Sequence, residues 1–328
     1  MTGFSMKTAT DFGVGQELAL VERRIREAIR SEEPLITEIA DYVIASGGKR
    51  IRPTVTLLAF KAVGGKEIDR AIEMAAALEL IHSATLIHDD INDGGTYRRG
   101  RPAAFRKFGM HEALVTGDFL FARAFEIGGK FEDHIVDMTA RVAMALAEGE
   151  IRQKRHAGDV NITREEYLNI ITRKTAMPIS AGAQAGAILG SARVEQIDVL
   201  GRYGLNLGIA FQIVDDILDV VGDGVVLGKQ PGMDIKESNV TLLAIHALNN
   251  GSAIDRSELI RIIRKRKKDW GEVQTAIRMI REAGAVEKAR EDALEYGEKA
   301  VAALDPFPDA EPRRHLRDLV EFVLSRTA

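Results

Sequence analysis

The chain is predicted to be all-α, a single-domain bundle of more than ten helices around a central cavity. Three observations predict it. Aromatic residues are only 5% of the 328 residues while hydrophobic residues reach 45%, so the core must come largely from Ala, Leu and Ile rather than from the aromatic residues that strands favour. Long segments repeat apolar residues at helical spacing. No alternation of period two survives over several residues.

Residues 14–30 read as an amphipathic helix, and 33–46 as a second one ended by Gly47-Gly48. The basic loop GGKRIRP follows, and its Pro53 suits the first turn of the next helix, which continues through 54–63. Residues 67–93 form a long apolar helix broken by Gly94-Gly95. After a second basic loop, TYRRGRP, come helices at about 110–128 and 131–156. Thr163 and Glu166 form a capping box that opens the next helical segment. Residues 194–221 are again long and apolar, followed by a mixed, Gly-rich loop at 222–234. Amphipathic helices are expected at 238–250, 255–283 and 285–304, and a terminal one at 311–326 after the turn marked by Pro306 and Pro308. No linker or composition shift divides the chain, so residues 1–328 read as one domain. Residues 1–13 are expected to be flexible or partly non-native, with Met6 an alternative start.

Composition narrows the function. A formal net charge of -4 argues against a general nucleic-acid binder. The chain has no cysteine, which excludes disulfides, thiolate metal sites and cysteine nucleophiles. The N-terminus lacks a signal-peptide core, and no uncharged run of 18 apolar residues predicts a membrane span. A cytoplasmic protein is the expectation.

Two Asp-Asp-x-x-Asp clusters stand out: Asp89, Asp90 and Asp93, and Asp215, Asp216 and Asp219. Each closes a long apolar helix. Residues i and i+4 share a helical face, so Asp89 stacks with Asp93 and Asp215 with Asp219. Two carboxylates about 6 Å apart repel by roughly 3 kcal/mol at an effective dielectric of about 20, and the C-terminal end of a helix disfavours negative charge further. Hard divalent cations relieve this repulsion, and Mg²⁺ is the one that combines carboxylates with phosphates. An EF-hand is excluded: with Gly95 as the loop's glycine, Arg101 falls where Glu is required. Helices 67–93 and 200–221 are apolar nearly all round and so are expected inside the bundle, where ligand sites are built, with the clusters facing one another across a cavity. Two basic triplets supply the counter-charge: Lys49, Arg50 and Arg52, and Arg98, Arg99 and Arg101. Arginine's forked donors match phosphate. The pattern points to diphosphate chemistry.

The motifs GGKRIRP, ELIHSATLIHDDINDGGTYRRGRP, ALVTGDFLF, EGEIRQ, RKTA, GIAFQIVDDILDVVG and GKQPGMDI, in this order, resemble those of the trans-polyprenyl diphosphate synthases of the isoprenyl diphosphate synthase family, from about Gly47 to the C-terminus. The resemblance implies the isoprenoid synthase fold and a homodimer. It implies head-to-tail, all-trans condensation of isopentenyl diphosphate with an allylic diphosphate by ionisation, condensation and elimination. It further implies three Mg²⁺ ions, two on Asp89 and Asp93 and one on Asp215, with Asp90, Asp216 and Asp219 holding waters or orienting ligands. Arg98, Lys174, Thr175, Gln212 and Lys229 would serve the allylic diphosphate, and Lys49, Arg52, His82 and Arg99 the isopentenyl diphosphate. His88 is expected to support the first cluster from behind.

Product length should depend on the helix below Asp89. Relatives with 15- or 20-carbon products often carry aromatic residues four or five positions before the first Asp; here those positions are the small Thr85 and Ala84. With Ile81 and Leu78 deeper, a product of 25 carbons or more is expected. The alternative is a 20-carbon (geranylgeranyl) synthase blocked at Ile81, Leu78 or a facing side chain such as Met144. A terpene cyclase, whose second metal motif usually mixes Asn, Ser/Thr and Glu, and a non-catalytic subunit of a heteromeric synthase, which typically loses its aspartates, are the readings outside this class. Three departures from the family pattern are visible: Gly94-Gly95 is expected to loosen the loop bearing Arg98 and Arg99, Pro178 to kink the helix after Lys174-Thr175, and Asn239 to replace a lysine.

Overall fold

The computed structural model describes residues 12–222 and 230–326, and it is helical nearly throughout. The first part holds α1 (Gly15–Ala28), α2 (Pro34–Ile44), α3 (Ile51–Ala62), α4 (Ile68–Asp93), α5 (Ala104–Phe108) and α6 (Met110–Gly128). Then come α7 (Asp133–Arg155), α8 (Arg164–Ile171), a π-turn at Thr172–Ala176, α9 (Met177–Leu189) and α10 (Val194–Val221). The remainder is α11 (Met233–Glu237), α12 (Leu242–Asn250), α13 (Ala253–Arg264), α14 (Trp270–Glu282), α15 (Ala285–Ala303) and α16 (Glu311–Ser325). Residues 1–11 of the expected N-terminal tail, most of the 222–234 loop and Lys229 lie outside the described residues.

The chain forms two compact units. One comprises Met1–Arg141, Pro178–Gly204 and Ala303–Leu319; the other comprises Val142–Met177, Leu205–Ala302 and Val320–Ala328. In the first unit α4 is central, with α1, α3 and α6 packed on it. Its buried positions include Ala71, Met74, Leu78, Leu80, Ala84 and Ile87, which surround the helix, as its all-round apolar sequence requires. Leu78 joins Met74, Ile135 and Ala185 in a core cluster. Helix α9 approaches α3 through glycines: a Cβ on Gly186 would stand 2.1 Å from the Thr56 carbonyl oxygen, and one on Gly182 2.8 Å from Thr56 Oγ1. In the second unit α14 packs on α11, α12 and α13.

Four sequence expectations are corrected. The segment 255–283 is not one helix; it breaks after Arg264, and Asp269 caps a new helix by accepting from Glu272 N–H at 2.9 Å while Glu272 accepts in return from Asp269 N–H. The signature, Asp-x-x-Glu, has the same form as at Thr163 and Glu166, whose capping box forms as expected. Helix 238–250 starts only at Leu242, because Ser238 adopts φ 66° and ends α11. Finally, TYRRGRP is a small antiparallel ribbon, β1 (Tyr97–Arg98) with β2 (Arg101–Pro102). Arg99 and Gly100 both have positive φ, 50° and 75°, the conformation of a two-residue hairpin turn. Gly94 at φ 67° ends α4 in the left-handed conformation, and Gly95 N–H returns to the Asp90 carbonyl at 3.1 Å. This is a Schellman-type closure, so Gly94-Gly95 fastens the loop rather than loosening it.

The α3–α9 contact gives a stability prediction. Gly186→Ala should lower stability by about 1–3 kcal/mol through overpacking, read as a lower thermal midpoint. Gly128→Ala, where an added Cβ meets nothing within 4 Å, should be neutral or stabilise by up to about 1 kcal/mol; equal effects in both variants would refute the close-approach account.

Candidate active site

In the first unit, α4 carries Asp89, Asp90 and Asp93 at its last turn. Asp90 is buried, 7% exposed. Arg98 reaches it from β1 with Nε and Nη2, both 2.7 Å from Oδ1. Burial raises the Asp90 pKa, Arg98 opposes the rise, and Asp93 adds to it. Arg98, expected at the allylic diphosphate, is thus engaged with the middle aspartate here.

Arg52 and Arg99, expected with His82 and Lys49 at the isopentenyl diphosphate, lie near enough to His82 for their charges to act on it. Burial, and then the charges of Arg52, Arg99, Arg98 and Arg50, hold His82 well below the usual histidine range, so it is neutral at neutral pH and can donate only one ring hydrogen. The Arg99 guanidinium lies over Gly48, where an added Cβ would be 3.1 Å from Nη1. This brings the second basic loop onto the first, beside Lys49. Arg50 behaves differently from its neighbours: Nε donates to Glu22 and Nη1 to Glu79, each at 2.6 Å, and Nη2 reaches the Ile44 carbonyl at 3.3 Å. It neutralises the buried Glu79 and anchors the loop at φ 48°. His88 turns to α6, with Nε2 3.3 Å from the Leu114 carbonyl and its ring on Phe121; Gly117 leaves room for it.

In the second unit the motifs EGEIRQ and RKTA prove to be partners. Lys174 Nζ donates to Gln153 Oε1 at 2.6 Å and to Glu150, and Arg173 pairs with Glu148. Gly149 makes the approach possible, since a Cβ there would lie 2.8 Å from Lys174 Cγ. The π-turn Thr172–Ala176 precedes Pro178. Proline lacks a donor and crowds the carbonyl four residues back; a widened turn accommodates it, and such turns are frequent at functional sites. The kink expected from Pro178 is therefore a π-turn. Gly208 of α10 sits against Ala176, where a Cβ would be 2.5 Å from Cα.

This close packing sets up a buried chain of hydrogen bonds. Thr175 Oγ1 donates to Gln212 Oε1 at 2.7 Å, Gln212 Nε2 donates to Asp216 Oδ1 at 2.8 Å, and Tyr167 Oη donates to Asp216 Oδ2 at 2.7 Å. Burial pushes Asp216 from 3.8 up to about 7, the charges of Asp215 and Asp219 acting in the same direction and the bonds from Tyr167 and Gln212 against it. Asp219, 1% exposed, accepts Asp234 N–H at 3.0 Å, and its carbonyl accepts Gly232 N–H at 2.7 Å. Asp215 pairs with Arg326 Nη2 at 2.6 Å, and that guanidinium lies 5.3 Å from the Phe211 ring centre. Asn239 bonds Glu237 through Nδ2 at 3.2 Å.

The donor set fits Mg²⁺ in one specific sense. Among the described residues no three acidic or histidine side chains converge into a closed ligand group. Mg²⁺ does not need one; it is held by one or two carboxylates together with substrate phosphates and water. The i, i+4 aspartates at the helix ends, oxygen donors only, match that requirement.

Of the chain-length positions, Ala84 is fully buried, Ile81 and Leu78 are each 4% exposed, and Thr85 is half-buried with its hydroxyl on the His82 carbonyl at 2.8 Å. Met144 is 58% exposed. The sequence reading missed Tyr167, Glu150, Gln153, Glu79 and Arg326. The first three lie within or beside segments that drew notice, and Glu79 is a lone acid in an apolar run. Nothing in the sequence marks Arg326.

These features define a helical protein in which two long apolar helices each carry an aspartate cluster toward the C-terminal end, the first followed by a basic hairpin. The sequence matches the polyprenyl synthetase family model over residues 33–280, and the chain belongs to that family. It is 35% identical over 312 residues to the octaprenyl diphosphate synthase of Escherichia coli (strain K12), covering 95% of this chain and 96% of that one. It is 38% identical over 313 residues to a short chain isoprenyl diphosphate synthase of Methanothermobacter thermautotrophicus, covering 94% and 95%. A polyprenyl synthase of Caulobacter crescentus CB15, complexed with calcium and isoprenyl diphosphate, superposes with a TM-score of 0.94 at 36% identity, covering 99% of this chain and 100% of that one. The isoprenoid synthase fold expected from the sequence is the fold found.

The raised Asp216 pKa carries a sign. Between pH 3.8 and about 7 the folded state binds more protons than the unfolded one, so this group's contribution to stability is present at low pH and lost as pH rises. In chelator, the thermal midpoint of the wild type should therefore fall relative to Asp216→Asn as pH goes from about 4 to about 7. A constant difference would contradict the shift.

Proposed function

We propose that the chain is a Mg²⁺-dependent trans-prenyltransferase that condenses isopentenyl diphosphate with allylic diphosphates and makes products of 25 carbons or more. The observation that carries the reading is the intact pair of aspartate clusters, both inside the family match. Intact clusters also weigh against a non-catalytic subunit, and the basic loops converging on His82 weigh against a terpene cyclase. Three ions are proposed, two on Asp89 and Asp93 and one on Asp215; when bound they neutralise diphosphate charge and stabilise the departing group. The structure of the Caulobacter relative with calcium and isoprenyl diphosphate supports a divalent cation and a diphosphate in this family.

The chain's own residues then have distinct tasks. Lys174, held by Glu150 and Gln153, presents a fixed ammonium to the allylic diphosphate, with Thr175 and Gln212 beside it. Arg98 and Lys229 are proposed to add charge there, Lys229 lying outside the described residues. Lys49, Arg52, Arg99 and neutral His82 hold isopentenyl diphosphate through charge and hydrogen bonds. The allylic carbon–oxygen bond ionises, the isopentenyl double bond attacks the cation, and a proton leaves to the released diphosphate. Fixed charge and proximity supply the rate.

Two readings follow from position. Relatives differ in product length, from octaprenyl to short-chain, so length must come from this chain's own residues. The small Ala84 above the Leu78 cluster favours an open path over the 20-carbon alternative. Exposed Met110, Leu114, Val115 and Phe125 on α6 support a homodimer, since contiguous apolar exposure marks association surfaces. No helix among the described residues is long and apolar enough to cross a membrane; a cytoplasmic site of action is part of the proposal.

Asp89→Ala or Asp215→Ala should reduce condensation at least about 1000-fold, a loss of roughly 4 kcal/mol in transition-state stabilisation, in an assay of radiolabelled isopentenyl diphosphate incorporation. Full activity in either would defeat the assignment. Chromatography of the wild-type products should show 25 carbons or more, and Ala84→Phe should shorten them. A wild type stopping at 15 carbons would refute the open path, and unchanged length in the variant would remove Ala84 from it.

A further inference from the structure

We propose that Tyr167 is a positioning residue for the allylic half of the reaction, acting through Asp216 and Gln212 on Thr175; this rests on the prenyltransferase reading. The basis is a line of three hydrogen bonds that share one consistent set of directions. The two oxygens of Asp216 are taken by different donors, Tyr167 Oη on one and Gln212 Nε2 on the other. Gln212 must therefore turn its amide nitrogen to Asp216 and its carbonyl to Thr175. Thr175 must commit its hydroxyl hydrogen to that carbonyl, which leaves its oxygen with acceptor capacity only. The orientation of a hydroxyl next to Lys174 is thus set from a residue on another helix.

The elements make this line stiff. Tyr167 is 4% exposed on α8, and burial and the Asp216 charge keep its hydroxyl protonated, so it is a permanent donor. Gln212 and Asp216 are one turn apart on α10 and share a face. Gly208, one turn earlier on the same face, lets the π-turn bearing Thr175 sit directly on α10. Tyr167 has no role in the mechanism above. Its ring alone would fill the core equally well as phenylalanine, so the hydroxyl is the informative atom.

Tyr167→Phe removes that atom alone. In the full-length protein, kcat for condensation should fall roughly 10- to 100-fold, the size expected for a hydrogen bond to a charged group. KM for isopentenyl diphosphate should stay within about two-fold, and circular dichroism should show the wild-type helix content. Thr175→Val should also lower kcat, and the double variant should be no slower than the slower single, because both changes break one line. Wild-type kcat in Tyr167→Phe, multiplicative losses in the double variant, or a fall expressed mainly in KM for isopentenyl diphosphate would overturn the proposal. Should Tyr167→Phe fail to fold, Gln212→Met cuts the same line one residue further on: a kcat-specific loss there that is absorbed by Thr175→Val supports the proposal, and undiminished kcat overturns it. An inactive wild type would instead overturn the prenyltransferase reading.

Discussion

Burial of carboxylates is the constraint on which the structure depends. Glu79, Asp90, Asp216 and Asp219 are all at most 7% exposed in helices that are otherwise apolar. A buried carboxylate without partners is too costly to persist, so each dictates what surrounds it. Glu79 fixes Arg50 and, through it, the first basic loop. Asp90 fixes Arg98 and the ribbon that carries it. Asp216 fixes Tyr167 and Gln212, and Asp219 ties down Asp234. The segments that bear Arg50 and Arg98 are therefore tied to acids inside the helices.

The same rule governs the cations. Lys174, Arg98 and Arg326 each meet a carboxylate in this structure. A lysine or arginine held in this way loses little further freedom when a phosphate arrives, and pre-organised charge stabilises a developing anion better than a mobile one. Glycine makes the approach possible where it matters. Gly149 admits Lys174, Gly208 admits the π-turn, and Gly186 admits α3.

Much of this is legible in the sequence, for identifiable physical reasons. Helices α4 and α10 are readable because an all-round apolar helix must be enclosed by others, and the acidic cluster at its end marks where that enclosure opens to charge. The Thr163–Glu166 capping box forms as written. The ribbon at Tyr97–Pro102 is not legible, since two-residue strands are too short to show a period; the positive φ of Arg99 has no marker beyond the following glycine. The break before Asp269 does carry a signature, the Asp-x-x-Glu pattern together with the charged run at 264–269 that interrupts the apolar spacing. Pairings between distant segments, such as Lys174 with Gln153 or Asp215 with Arg326, are long-range facts that no local pattern encodes. Arg326 also falls beyond the span of the family match.

The π-turn at Thr172–Ala176 gives chain length itself a chemical meaning. Each helical residue advances the chain by about 100°, so a wider turn shifts the phase of everything after it. Tyr167 and Thr175 must meet Asp216 and Gln212, which are separated by one ordinary helical turn on α10. Deleting any one residue of the turn would keep at most one of those meetings. An insertion or deletion in this segment is therefore not a neutral gap between matched motifs, and homologues should be aligned here by the number of residues before they are aligned by their identity.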